Sequence, residues 1–280
     1  MTLREWVEWG AVHLQAGPHP GKARRDSELL LLHQIGKDRA WLIAHGDEPF
    51  AGCGSIGFAE LIKRRGTGEP IQYITGTCEF FGIPFHVTRS VLIPRPETEL
   101  LVERAIEYAS GIAAQRILDI GTGSGAIAVA LAHSLPQAHI TATDVSSAAL
   151  TVARENAQRN GVTVRFLEGD LLAPVSGESF ELIVSNPPYI SVSDRASLDV
   201  EVREYEPELA LFAGGDGLSI YRRLIAGGFA RLVRGGWLLL EIGCGQLESV
   251  TALCHSAGFE RIATTPDLQG IPRVIAAVRS

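Results

Sequence analysis

No apolar run in this 280-residue chain approaches the roughly 20 residues needed to cross a bilayer, so a membrane span is not expected. Cysteine is scarce as well. Cys53, Cys78, Cys244 and Cys254 form no C-x-x-C pair, and none sits beside histidines at metal-ligand spacing; no metal site is expected, and the thiols are read as buried. A basic excess is also missing. The net charge is −7, and residues 1–87 carry 9 basic and 10 acidic side chains against 16 and 22 in the remainder. Neither part offers the Lys/Arg concentration with which nucleic-acid binders neutralise phosphates, so no direct nucleic-acid partner is expected. The densest basic run, Lys63, Arg64 and Arg65, is read as a solvated helix end. Arg4, Glu5, Trp6 and Glu8 at the N-terminus give neither the basic start and apolar stretch of a signal peptide nor an acid-poor presequence, and the chain is read as cytoplasmic.

What is present divides in three. At this length, one large domain with a smaller partner is the prior. Residues 1–66 carry short amphipathic helices: Leu3, Trp6, Val7 and Leu14, then Leu29, Leu30, Leu32 and Ile35, then Trp41 to Ile43, punctuated by Gly17, Pro18, Pro20, Gly46 and Pro49. Residues 67–95 read as a linker built on a strand pair between Pro70 and Val87. From residue 96 to residue 280, helix and strand alternate. Strands are expected at 116–120, 139–144, 164–168, 180–185, 237–241, near 260–265 and at 274–278, with helices at about 97–110, 146–160, 218–232 and 247–257. Such alternation builds an α/β fold, a Rossmann-like sheet covered by helices, with ligands bound outside the carboxyl ends of the strands.

The first expected strand ends in Asp119-Ile120 and turns through Gly121-Thr122-Gly123-Ser124-Gly125 into a helical run. Glycines allow positive φ and close ligand approach, and a helix N-terminus presents unpaired N–H groups, so this is a nucleotide-type site. Its Gly-x-Gly-x-Gly spacing differs from the dinucleotide fingerprint, although Ala126 keeps a nicotinamide cofactor open. Asp144 ends the second strand, where it can accept from ribose hydroxyls or cap the next helix; Ser146 or Ser147 can cap instead. Gly169-Asp170 after the third strand reads as the adenine end or as a turn.

The fourth strand runs into Asn186-Pro187-Pro188-Tyr189. An amide nitrogen is a poor nucleophile, because its lone pair is delocalised, and its two hydrogens are the handles by which it can be held. Asn186 supplies a side-chain carbonyl, and Pro187 a backbone carbonyl aimed by the fixed φ of two prolines. Tyr189 offers an aromatic face to a flat amide. Methyl transfer to a planar nitrogen from a sulfonium donor is the chemistry this set predicts, with Asn186, Pro187 and Tyr189 catalytic and Pro188 completing the substrate site.

At these residues the sequence resembles the HemK/PrmC family, protein-(glutamine-N5) methyltransferases of class I peptide-chain release factors. The likeness extends over Pro70 to Gly76, Glu79-Phe80-Phe81-Gly82, Leu92 to Glu99, Glu206-Pro207, Ala213 to Leu218, and Glu241-Ile242-Gly243 with Gln246. The resemblance implies a helical N-terminal domain that recognises the protein substrate and a seven-stranded, mostly parallel methyltransferase sheet whose last strand is antiparallel. It also implies a glutamine in a Gly-Gly-Gln motif as acceptor, S-adenosylmethionine as methyl donor, and a monomer. By matching position, Gly121, Thr122, Gly123, Ser124, Gly125, Asp144, Asp170, Leu171 and Asn186 would contact the cofactor, and Asn186 to Tyr189 the glutamine. Some relatives carry an aromatic residue at the position of Leu171, which leaves backbone contact to adenine here. The segment from Arg95 to Glu97, stiffened by Pro94 and Pro96, reads equally as a structural hinge or as part of the site. Two neighbouring chemistries share the motif: methylation of a ribosomal-protein glutamine, and of adenine N6 in DNA, which the charge tally disfavours.

Overall fold

The computed structural model describes residues 1–110 and 115–280. From the N-terminus run α1 (Leu3–Leu14), α2 (Ala23–Ile35), α3 (Arg39–His45), α4 (Cys53–Gly66), α5 (Ile71–Thr75) and the hairpin β1 (Thr77–Phe80) and β2 (Ile83–His86). Then come α6 (Pro96–Ala109), β3 (Arg116–Ile120), α7 (Ala126–Ser134), β4 (His139–Asp144), α8 (Ser147–Arg159), β5 (Arg165–Glu168) and β6 (Phe180–Ser185). The chain closes with α9 (Val200–Tyr205), α10 (Ser219–Arg231), β7 (Leu232–Glu241), α11 (Leu247–Ala257), β8 (Arg261–Pro266) and β9 (Pro272–Val278). Two compact units result, residues 1–77 with 198–205, and residues 78–197 with 206–280.

In the first unit, α1 starts at a capping box. The Glu5 N–H donates to Thr2 Oγ1, and the Thr2 N–H to Glu5 Oε2, satisfying two otherwise unpaired donors. Leu3, Val7 and Leu14 then fall on one face and pack with Leu30, Leu31 and Phe58. The basic run on α4 is a solvated helix end except at Arg65. Phe58, Ile62 and Arg65 recur at helical spacing, so Arg65 points inward; it is 3% exposed and donates to Asp26 Oδ2 at 2.7 Å and to Glu201 Oε1 at 2.6 Å. That ion triad fastens α9 to the helices, and a buried guanidinium requires such partners. Lys63 and Arg64 are both exposed, Lys63 beside Glu60 and Arg64 paired with the buried Glu69.

The second unit holds a seven-stranded sheet in the order β5-β4-β3-β6-β7-β9-β8, all parallel except β9. Both faces are covered, so its central strands are apolar on alternate sides. Ile117, Leu182, Val184 and Leu239 pack with α6 and α7, while Leu118, Ile120, Ile183 and Leu240 pack with α10 and α11. Two elements depart from expectation. Residues 71–75 are helical rather than extended, because Pro70 opens the turn and Gly76, at φ 73°, closes it. β7 begins at Leu232 rather than at 237, its register with β6 shifting between Leu232 and Trp237, where Gly235 has φ 79°. Of the four cysteines, only Cys254 is buried; Cys53 opens α4 and Cys244 lies in the loop between β7 and α11, and both are exposed.

Asn156 of α8 joins three segments of this unit. Its Nδ2 donates to the carbonyls of His86 and Ser124, both at 2.9 Å, and its Oδ1 accepts from the His86 N–H at 2.7 Å, with the Asn156 residue itself fully buried. Asn156→Ala strands those backbone groups, and about 3 kcal/mol of stability should be lost in chemical denaturation. A change below 0.5 kcal/mol would remove Asn156 as a clamp.

Candidate active site

The strand order decides where chemistry can sit. From β3 the chain crosses to β4 on one side, whereas β6 lies against β3 on the other, so the crevice at the carboxyl ends of β3 and β6 is the topological switch point. The glycine loop leaves β3 there, and Asn186 leaves β6. The flanking strands β4 and β7 end in Asp144 and Glu241.

Gly121, Gly123 and Gly125 have φ of 73°, 56° and 82°. A Cβ on Gly125 would lie 3.1 Å from the Ala153 Cβ, so this glycine lets α8 approach; at Gly121 and Gly123 a Cβ would meet nothing within 4 Å. The first two glycines therefore edge open space. The Gly123 N–H donates to Asp144 Oδ2 at 2.8 Å, and the Ser146 N–H to Oδ1 at 2.9 Å. Ser146, not Asp144, caps α8, through the Ala149 N–H. Thr122 and Ser124 are buried; the Thr122 hydroxyl donates to Asp119 Oδ2 at 2.6 Å, and the Ser124 carbonyl is the one held by Asn156.

Asp119 is a residue to which the sequence reading assigned no role. It is wholly buried, and its Oδ1 has no partner at hydrogen-bonding geometry. Burial pushes its carboxyl up to about 7; the Thr122 hydroxyl opposes that and the nearby Asp144 charge adds to it. Asp144 is also raised, by burial, against the N–H groups of Ser146 and Gly123. The signal was available: an acid at the last turn of a central parallel strand sits at the ligand edge.

After β5, Gly169 (φ 155°) is required because a Cβ there would lie 2.4 Å from Pro174 Cγ. Asp170 is half exposed and pairs with Arg223 of α10. Leu171 has φ 49°, and its carbonyl accepts from Thr143 Oγ1 at 3.0 Å, so its backbone is pinned beside β4.

On the β6 side, Asn186 Nδ2 donates to Thr98 Oγ1 at 3.0 Å, and Thr98 donates to Glu241 Oε2 at 2.6 Å. Pro187 is buried, with Asn186, Pro188 and Tyr189 half-buried. Tyr189 is held from both ends of its residue. Its carbonyl accepts from Gln246 Nε2 at 3.0 Å, and Gly217 and Gly243 must lack side chains because a Cβ would come within 2.4 Å of that carbonyl and 3.0 Å of the ring. Burial and the Glu241 charge push the phenol up to about 12, so it stays neutral. Arg95 reaches Glu206 at 2.6 Å. Thr98, Glu241 and Gln246 lie in segments of the family likeness, yet their roles appear only when β6, β7 and α6 are brought together. Among the described residues, no cluster of His, Cys, Asp or Glu could hold a metal, and no helix is long and apolar enough to cross a membrane.

Residues 5–76 match the PrmC N-terminal domain, and residues 96–202 the methyltransferase small domain. A release factor glutamine methyltransferase of Geobacter sulfurreducens is 44% identical over 98% of this chain and 95% of its own length. One of Deinococcus radiodurans is 43% identical over 100% of this chain and 99% of its own. Among solved structures, a T. thermophilus 16S rRNA N2 G1207 methyltransferase in complex with AdoMet and guanosine aligns with a TM-score of 0.56 at 20% identity. That alignment covers 73% of this chain and 50% of the other, a likeness of fold.

Proposed function

Since the chain belongs to the release factor glutamine methyltransferase family, we propose that it moves a methyl group from S-adenosylmethionine to a release-factor glutamine. The acceptor is the side-chain amide nitrogen of the Gly-Gly-Gln glutamine in class I factors. One observation carries the reading: Asn186-Pro187-Pro188-Tyr189 and the glycine loop leave adjacent strands at the switch point.

The residues present suit the cofactor. Open space at Gly121 and Gly123 admits a ligand against the backbone, and the unpaired Asp119 Oδ1 beside the raised Asp144 carboxyl favours a cationic neighbour. The five residues from Gly121 to Gly125 would cradle it, with Asp144 on the ribose, Asp170 and Leu171 at the adenine end, and Asn186 near the reacting end. When bound, the cofactor supplies a methyl carbon activated by a positive sulfonium.

The chain's own residues do the rest. Asn186 Oδ1 and the Pro187 carbonyl accept the two hydrogens of the glutamine amide, turning its nitrogen toward the methyl carbon, while the neutral Tyr189 ring lies against its plane. Orientation is the main contribution. Transfer of the methyl to that nitrogen would leave S-adenosylhomocysteine as the product, and the methylated nitrogen would shed its extra proton to solvent, so no strong base is needed from the chain. Residues 1–66 serve as the protein-recognition part, residues 67–95 as the linker and residues 96–280 as the catalytic part of a cytoplasmic monomer.

A competition assay tests the substrate. With release factor and a large-subunit ribosomal protein present together, labelled methyl should enter the release factor at least about tenfold faster, a preference of about 1.4 kcal/mol. Faster labelling of the ribosomal protein would overturn the choice of substrate and keep the chemistry.

A further inference from the structure

The planar amide of Asn186 can sit in either of two orientations, and only one serves the reaction. With Oδ1 outward it accepts from the substrate amide; with Nδ2 outward it sets donor against donor. The surroundings of Asn186 break this degeneracy. Glu241 and Thr98 are 3% and 4% exposed, out of reach of bulk water. An ionised carboxylate can only accept, so the single hydroxyl hydrogen of Thr98 is committed to Glu241 Oε2 at 2.6 Å. Thr98 Oγ1 is then left as an acceptor, and Asn186 must offer it Nδ2, at 3.0 Å.

We propose that Thr98 and Glu241 are positioning residues whose hydrogen-bond relay fixes which edge of the Asn186 amide faces the substrate. The inference rests on the reading of Asn186 as the amide acceptor. Ser185 pairs with Leu240 across β6 and β7, so Asn186 and Glu241 leave neighbouring strands at the same level, and the relay is short and stiff.

The relay has a polarity that protonation reverses. Burial pushes Glu241 up to about 7; Thr98, Arg273 and Arg95 oppose that and Glu97 adds to it, while Tyr221 on α10 donates to the Glu241 backbone carbonyl. A protonated Glu241 can donate to Thr98, which then donates to Asn186 Oδ1 and turns the wrong edge outward. Methyl transfer should accordingly fall as pH drops through about 7.

The experiment compares wild type with Thr98→Val, Thr98→Ser and Glu241→Gln for kcat, KM and pH profile, with S-adenosylmethionine affinity from calorimetry. Thr98→Val should lose roughly 30- to 100-fold in kcat with cofactor affinity within about threefold, Thr98→Ser should recover to within about threefold of wild type, and Glu241→Gln should lack the acid limb. Thr98→Val at near wild-type kcat, Thr98→Ser as impaired as Thr98→Val, or an unchanged acid limb in Glu241→Gln would each overturn the relay. Should the wild-type protein leave release factor unmethylated, the functional reading fails separately. The relay is then read from the Asn186 side-chain amide resonances, protected from exchange in wild type and Thr98→Ser but not in Thr98→Val; equal protection in all three would refute it.

Discussion

Asn186→Ala should lower kcat for release-factor methylation by about 10³-fold while leaving the fold in place. In the proposed site the side chain supplies one of two acceptors for the substrate amide, and its truncation would free one hydrogen of that amide and the rotation that goes with it. Losing a preorganised acceptor costs the transition state, in which the nitrogen must keep its lone pair in line with the methyl carbon, more than it costs binding, so KM should move little. Stability should hold because Asn186 is only half-buried and Thr98 keeps Glu241 as a partner. Asn186→Asp is the sharper companion. It retains an acceptor but cannot donate to Thr98, and it brings a second carboxylate toward Glu241, so it should be nearly as slow as Asn186→Ala. Turnover within about threefold of wild type in Asn186→Ala would contradict the amide-gripping role.

Asp144→Ala should weaken S-adenosylmethionine binding by about 100-fold, from the loss of charge-assisted hydrogen bonds. Two effects are mixed in that number. Asp144 already accepts from the N–H groups of Gly123 and Ser146, so its removal loosens the glycine loop as well as vacating the ribose position. A cofactor analogue lacking the ribose hydroxyls separates them. If Asp144 binds ribose, the analogue should bind wild type weakly and lose much less than about 100-fold further in Asp144→Ala, the remainder being the loosened loop, a non-additive pair. Additive losses would assign the carboxylate to loop bracing alone, and unchanged calorimetric affinity in Asp144→Ala would remove it from the site.

Much of the fold was legible because a parallel sheet covered on both faces writes itself as short apolar runs between amphipathic helices. The edges of β3, β4 and β6 fall where periodicity placed them, and the seventh strand is antiparallel as the family likeness implied. Local conflicts account for the misses. Pro70 and Gly76 enclose a single helical turn among β-prone residues, and β7 starts five residues before the apolar run from Trp237, across an irregularity at Gly235. Arg65 read as a surface charge because its partners Asp26 and Glu201 lie 39 and 136 positions away. The same distance problem governs the candidate site. Glycine loop and Asn186 to Tyr189 are contiguous motifs with visible chemistry, whereas Thr98 and Glu241 are separated by 143 positions and acquire meaning only from the pairing of β6 with β7 and the seating of α6.

The account stands or falls on where the methyl group goes. Purified release factor should be incubated with this protein and labelled S-adenosylmethionine and its peptides sequenced by tandem mass spectrometry. A single methyl on the side-chain nitrogen of the Gly-Gly-Gln glutamine is the predicted result; a methyl on any other residue, or an unmodified glutamine after full incubation with a cofactor-binding protein, would contradict it.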